Sequence, residues 1–113
     1  MSGDFYRLEI PFGVLYKPVD QVSSATVVLG VVGKRIVLIS ASIIVSTNTT
    51  LQWFTSTGPT ELCGPQSITA TGGYILPFNA GGWTETNFGD SLVLNVSPSV
   101  QIGGMISYCL DGK

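Results

Sequence analysis

Glu85 and Asp90 are the acidic side chains whose spacing can support chemistry, because they lie five residues apart in one loop, residues 78–90. A pair of carboxylates is what a glycosidase uses, and carboxylate oxygens are also ligands for calcium. The alternative is structural: Glu85 accepts backbone N–H groups within a tight loop, and Asp90 opens the next strand. Two carboxylates are few for calcium, and the chain has no His. We therefore expect no catalytic site, no metal site and no cofactor.

The two cysteines, Cys63 and Cys109, also lack the surroundings of a reactive site. They are far apart in sequence, and without His neither a Cys–His nucleophile nor a zinc site of the usual type can be built. Residues 1–9 carry two acids and no apolar stretch, so we predict no secretory signal. In such a chain two free thiols are expected, and a Cys63–Cys109 disulfide is the alternative.

The two tryptophans suggest different roles. Trp53 lies in an apolar strand pattern, which predicts a place in the core. Trp83 follows Gly81 and Gly82 in the loop that also carries Glu85 and Asp90, and an indole ring there can stack on a sugar or meet another protein. Trp83, Glu85 and Asp90 therefore define a candidate surface-contact loop.

Composition excludes several classes of partner. Charged residues are only 11% of the 113, and no Lys or Arg occurs between Ile36 and Gly112. Such a body cannot neutralise phosphates, so we predict no nucleic-acid binding. The most apolar region, residues 25–45, is divided by Gly33-Lys34-Arg35 into pieces too short to span a membrane as a helix. A surface this poor in charge is typical of a protein covered in an assembly, and a Ser/Thr-rich sheet exterior is the alternative.

The element that must organise such sites is the segment 34–47, KRIVLISASIIVST. Apolar residues occupy its odd positions from Val37 to Val45, while Ser residues recur among the even ones. This alternation predicts a long central β-strand with one buried face. Six of the ten residues from Ile36 to Val45 are Ile or Val, which favour strands over helices.

Further short strands recur along the chain at intervals of about ten residues, separated by turns rich in Gly and Pro. Among them, residues 91–97 and 101–110 alternate, with Leu92 and Ile102 beginning their inward faces. Seven or eight such strands predict an all-β fold, a single β-sandwich or jelly roll. We assign residues 26–113 to this domain and residues 1–25 to an extended N-terminal arm.

The arm is distinguished by its aromatic residues. Pro11 and Pro18 interrupt any long strand, because proline lacks an N–H donor. Large apolar side chains would not remain in water on a free tail, so we predict that these contact another surface, that of a neighbouring subunit: Phe5, Tyr6, Phe12 and Tyr16. The alternative is that residues 6–10 and 14–16 are edge strands of the same sheet.

The region from Lys34 to Leu110 resembles a family of small phage virion proteins found among head and decoration components. The order of short motifs carries this resemblance: KRIVL (34–38), STG (56–58), LCGP (62–65), GG (72–73), LPFN (76–79), GWTET (82–86), GDSLVLN (89–95) and VQIGG (100–104). It implies a jelly-roll cement protein that binds the major capsid protein, often as a trimer. The arm lies outside the match, and the resemblance gives Cys63 and Cys109 no role.

From the resemblance and the composition together we expect a phage capsid decoration protein, not an enzyme. It would bind and stabilise the major capsid protein lattice as a homotrimer on the virion exterior. The alternative is a head-fibre or receptor-binding module that reads glycans through Trp83. Neither reading involves nucleic acid or a membrane.

Overall fold

The computed structural model describes residues 13–69 and 71–112, and within them the chain is all β, with ten strands and no helix. The strands are β1 (Leu15–Gln21), β2 (Ala25–Val28), β3 (Arg35–Val45), β4 (Thr49–Thr55), β5 (Thr60–Glu61), β6 (Gln66–Ile68), β7 (Gly73–Leu76), β8 (Thr84–Glu85), β9 (Leu92–Ser97) and β10 (Ile102–Asp111).

The strands form two antiparallel sheets of five. Sheet A has the order β1-β10-β3, and β7 and β8 follow one another along the free edge of β3. Sheet B has the order β2-β9-β4, and β5 and β6 follow one another along the free edge of β4. The chain pairs its beginning with its end: β1 with β10, β2 with β9, and then β3 with β7 and β8. Successive strands from β1 to β4 alternate between the sheets. This is the connectivity of a jelly roll, and it confirms the predicted all-β sandwich.

The core lies between the two sheets and follows the predicted alternation on β9 and β10. Leu92, Leu94 and Val96 are buried and separated by partly exposed residues on β9. Ile102 and Ile106 of β10 join them in the same apolar cluster, against which Tyr108 and Leu110 pack. Burial of these faces removes apolar surface from water, which is the main term that stabilises such a fold.

Trp53 is confirmed as a core residue, and it also links the two sheets. Its indole Nε1 on β4 donates a hydrogen bond of 2.6 Å to the hydroxyl of Tyr74 on β7. Burial raises the pKa of Tyr74 to about 12. The bond satisfies the polar atom of the largest buried side chain, as a close-packed interior requires.

Strand β3 is central in sheet A, as predicted, but its alternation is interrupted. The register with β10 shifts so that Ser107 pairs with Ser40 and Tyr108 with Leu38, which leaves Ile39 as an extra residue, a β-bulge. Val37 and Ile39 therefore belong to a separate small cluster with Cys109, and they do not share the core with Ala41 and the residues that follow it. The prediction of one buried face along the whole strand is wrong, because a bulge exchanges the two faces.

The described part of the predicted arm belongs mostly to the sandwich. Strand β1 pairs with β10 over all seven of its residues, and Val19 is buried in the core. Residues 15–21 of the predicted arm are therefore an edge strand of the sandwich, and the edge-strand alternative, which named residues 14–16, is confirmed only for residues 15 and 16. Pro18 is tolerated because an edge strand has one side without a ladder partner. Phe5, Tyr6 and Phe12 lie outside the described residues.

Candidate interaction surface

The outer face of sheet A, turned away from the core, carries exposed apolar side chains from four strands. Register places Pro18, Met105, Ser42 and Ile75 in one row across β1, β10, β3 and β7. Ile75 is 71% exposed and Met105 is 50% exposed. We call this surface the apolar face and define it by these residues: Tyr16, Pro18, Ile44, Ile75, Phe78 and Met105.

The apolar face contains a groove of about 280 Å³. Its floor is formed by the small residues Ser40 and Ser42, whose side chains leave a depression between larger neighbours. Tyr16 and Met105 line it together with residues 75–78 at the end of β7. Tyr16, a predicted contact residue, is 66% exposed here, so its ring is free to meet another molecule.

The outer face of sheet B differs in chemistry. Its register rows pair Thr50 with Ser97 and Gln52 with Asn95, and one row is apolar, half-buried Phe54 with Val93. The Gln52 amide donates to the carbonyl of Cys63. A polar sheet exterior of this kind is what a solvated antiparallel sheet normally shows. The apolar face of sheet A therefore calls for an explanation of its own, since large exposed apolar patches mark interaction sites.

The loop of residues 78–90 runs along the free edge of β3, next to the apolar face. Its backbone donates hydrogen bonds to the carbonyls of β3: Asn79 to Ile39 at 3.0 Å, Trp83 to Leu38 at 2.7 Å, and Thr86 to Ile36. Strand β8 within the loop also pairs with β3. The loop thereby shields the Val37, Ile39 and Cys109 cluster that the bulge turns outward.

Trp83 and Glu85 lie on this loop and are both about half exposed. The Trp83 indole Nε1 donates to the carbonyl of Pro77 at 2.8 Å, and the ring remains 45% exposed. Glu85 pairs with the Arg35 guanidinium at 2.9 Å, instead of with the loop backbone as expected. Arg35 also contacts Asp111, so it ties the loop to β3 and to the end of β10.

Asp90 has a different environment. It is 9% exposed, and its carboxylate accepts hydrogen bonds from Thr55 Oγ1 at 2.7 Å and from Thr57 Oγ1 at 2.6 Å. These bonds hold the pKa of Asp90 below its ordinary value of 3.8, and the bond from the Thr57 side chain has the largest effect. Asp90 thus fastens the loop to sheet B while Glu85 fastens it to sheet A. The predicted acidic pair shares no partner, and the structure does not build a catalytic dyad from it.

We expect Asp90→Asn to make stability less dependent on pH. Because the pKa is lower in the folded state, the Asp90 carboxylate stabilises the fold above about pH 4, and this contribution is lost as the pH falls through the folded pKa. The free energy of unfolding should therefore drop less between pH 7 and pH 3 in Asp90→Asn than in the wild type, measured by urea unfolding. Glu61→Gln, an equal change of charge at an exposed residue, should keep the wild-type drop. Equal drops in wild type and Asp90→Asn would contradict the role of Asp90.

A second exposed apolar surface lies at one end of the sandwich, where the β2–β3 loop meets residues 87–91. Gly89 N donates to the carbonyl of Lys34 at 2.7 Å, and Gly30 N donates to Ser91 Oγ at 2.8 Å. Val32 is 95% exposed at the end of this loop. We call this surface the apolar tip, formed by Leu29, Val31, Val32 and Phe88.

The apolar tip and the apolar face are well separated. Seven residues of β3 run from Arg35, whose guanidinium lies 5.0 Å from the centre of the Phe88 ring, to Ser42 in the groove. At roughly 3.4 Å per residue this is about 24 Å. One domain therefore presents two separate apolar surfaces.

Other chemistry has little support among the residues described. Both thiols are free, with Cys109 buried and Cys63 partly buried; burial raises the pKa of the Cys109 thiol. No three Cys, Asp or Glu side chains of residues 13–69 and 71–112 come together as a possible metal site. The same ranges contain no helix able to cross a bilayer.

Comparison with known proteins identifies no relative: no family model matches the chain, and no curated protein matches it.

Sequence reasoning missed most of the residues of both surfaces. Ile44 occupies an outward position of β3, among serines, and its apolar side chain there was the available signal. Ile75 lies on the short strand β7, which gives no clear inward face, and Met105 occupies an outward position of β10 to which no contact was assigned. Val32 lies beyond β2, which ends at Val28, in a loop that the sequence pattern did not identify.

Proposed function

We propose that this protein is a non-catalytic assembly module, a phage capsid decoration protein that bridges copies of itself and the major capsid protein. The observation that carries the proposal is the presence of two separate apolar surfaces, the face and the tip, on one small jelly roll. A free monomer gains nothing from exposing them, whereas a bridging protein needs one surface for each neighbour. The resemblance of residues 34–110 to small virion proteins supports the choice of a capsid as the partner.

The energetics of such binding follow from burial. At about 25 cal/mol per Å² of apolar surface, covering side chains such as Ile75, Met105 and Val32 contributes a few kcal/mol, which must exceed the entropy lost on association. A capsid repeats the same contact many times, so that a bivalent or trivalent assembly gains avidity. A homotrimer on the exterior of the virion fits this arrangement.

Co-sedimentation with empty capsids tests the proposal. We expect the wild-type protein to bind at a fixed ratio, and Met105→Asp on the face and Val32→Asp on the tip each to weaken binding at least tenfold, because each buries a charge in an apolar contact. The matched control is Thr26→Asp, an exposed position on β2 in sheet B, which should bind as the wild type does. Wild-type binding by both Met105→Asp and Val32→Asp, or no binding by the wild type, would contradict the proposal.

A second candidate function, a head-fibre or receptor-binding module that reads glycans, is favoured by Trp83. Its indole N–H is already bonded to Pro77, which leaves the half-exposed ring face as the available contact, and sugars stack on such faces. A glycan array distinguishes the two functions. The second function would be supported if the wild-type protein bound glycans but not capsids, and if Trp83→Ala no longer bound the glycans.

A further inference from the structure

We propose that the groove on the apolar face binds residues 6–12 of a second copy of this chain, lying across the outer side of sheet A as an extended strand. This inference rests on the proposed function, because it takes the apolar face as an assembly surface. It assigns a specific occupant to the part of that face between Tyr16 and Phe78.

The sequence of residues 6–12, YRLEIPF, suits a strand with one apolar side. Its even positions are all large and apolar, and its odd positions carry two charges and a proline. In an extended chain alternate side chains point to opposite sides, so the even positions would share one face: Tyr6, Leu8, Ile10 and Phe12. Arg7 and Glu9 would then point towards water.

The groove complements that apolar side in shape and chemistry. Ser40 and Ser42 leave space at its floor, and the hydroxyls of Ser40 and Ser107 bond to each other, so these two groups do not need a polar partner from the occupant. The walls, which include Met105 and Ile75, are apolar. From β1 to β7 the sheet is three strand spacings wide, about 14 Å, and seven extended residues span roughly 23 Å. The segment is therefore long enough to cross the groove.

Chain length favours a second copy over the same chain. Residues 13 and 14 precede β1, and if they continue its direction away from the groove, Gly13 lies about 10 Å beyond Tyr16. A strand packed on a sheet lies about 10 Å above it, and the middle of the groove is about 10 Å across from β1. The same chain would use about five residues to cover this distance. It would leave about two of residues 6–12 for the groove, whereas a neighbour supplies the whole segment.

Complementation between two defective full-length chains tests the proposal. The first variant carries Leu8→Asp and Ile10→Asp in the segment, and the second carries Met105→Asp in the groove. We expect each alone to be monomeric by light scattering coupled to size exclusion. An equimolar mixture should contain a 1:1 complex, because the intact segment of one chain fits the intact groove of the other. The amount of protein in the dimer peak should be at least tenfold higher than for either variant alone.

Matched controls make the result specific. Thr26→Asp on sheet B should associate as the wild type does, and Ile75→Asp provides a second groove variant if Met105→Asp does not fold by circular dichroism. A monomeric wild type, or a mixture that forms no complex, would overturn the inference.

The same samples separate this inference from the capsid proposal. If the wild-type protein is monomeric but still sediments with capsids, the proposed capsid binding is supported and the strand exchange is contradicted. If the two variants form a complex but the wild-type protein does not bind capsids, the strand exchange is supported and the capsid assignment is contradicted.

Discussion

Gly104→Ala is expected to lower the free energy of unfolding by roughly 3 kcal/mol or more, one of the largest effects of a single methyl group in this chain. Gly104 has a φ of +148°, in the region that side chains rarely adopt. An added Cβ would also lie 1.8 Å from the carbonyl oxygen of Ser42, inside the ladder between β10 and β3. The central strands of sheet A would have to separate, which chemical denaturation monitored by circular dichroism should detect.

The adjacent residue provides the matched control. At Gly103 an added Cβ meets nothing closer than the Val19 carbonyl oxygen at 3.8 Å, an ordinary contact. Gly103→Ala should therefore change stability by less than about 1 kcal/mol. If both alanine variants were equally stable, close approach of backbone at Gly104 would not be a constraint on the fold.

Trp53→Ala is expected to destabilise the protein by about 3–5 kcal/mol, because it removes the largest fully buried side chain and leaves a cavity. The same change deletes the hydrogen bond to Tyr74 that joins the two sheets. The free energy of unfolding of Trp53→Phe should fall between those of the wild type and Trp53→Ala, since Phe keeps most of the apolar contact but loses part of the ring system and the N–H donor. Urea unfolding of the three proteins gives the comparison.

The other tryptophan is the control for this second effect. Trp83 is 45% exposed and lies on a loop, so Trp83→Ala should cost less than about 2 kcal/mol. A cost for Trp83→Ala equal to that for Trp53→Ala would mean that the loop of residues 78–90 is as essential to the fold as the core.

Much of the fold was predictable because long strands carry a strong pattern. The inward faces of β9 and β10 are those expected from residues 91–97 and 101–110. The β3 bulge was not predictable, because Ile39 is apolar on either face and only the register with β10 shows which one it joins. Strand β1 was misassigned because Pro18 suggests a break, while edge strands tolerate proline.

The candidate surfaces were less predictable for a physical reason. A contact face is made by residues from distant strands, and register across four strands, which sequence alone does not fix, brings Pro18 and Ile75 into one row. Glu85 and Asp90 look like a pair in the sequence, but in the fold Glu85 contacts sheet A and Asp90 contacts sheet B. Trp83 was identified correctly as a loop residue, and its role as a contact stays a prediction.

The pairing of first strand with last has a consequence for how the protein is made. β10 lies between β1 and β3 in sheet A, so neither of those strands can pair with it until Ile102–Asp111 has been synthesised. Contacts of this sequence separation close large loops and fold slowly. The nascent chain must therefore keep β1 and the β10-facing edge of β3 unpaired until β10 is available, which makes a folding helper more important for its yield than for that of a helical protein of equal size.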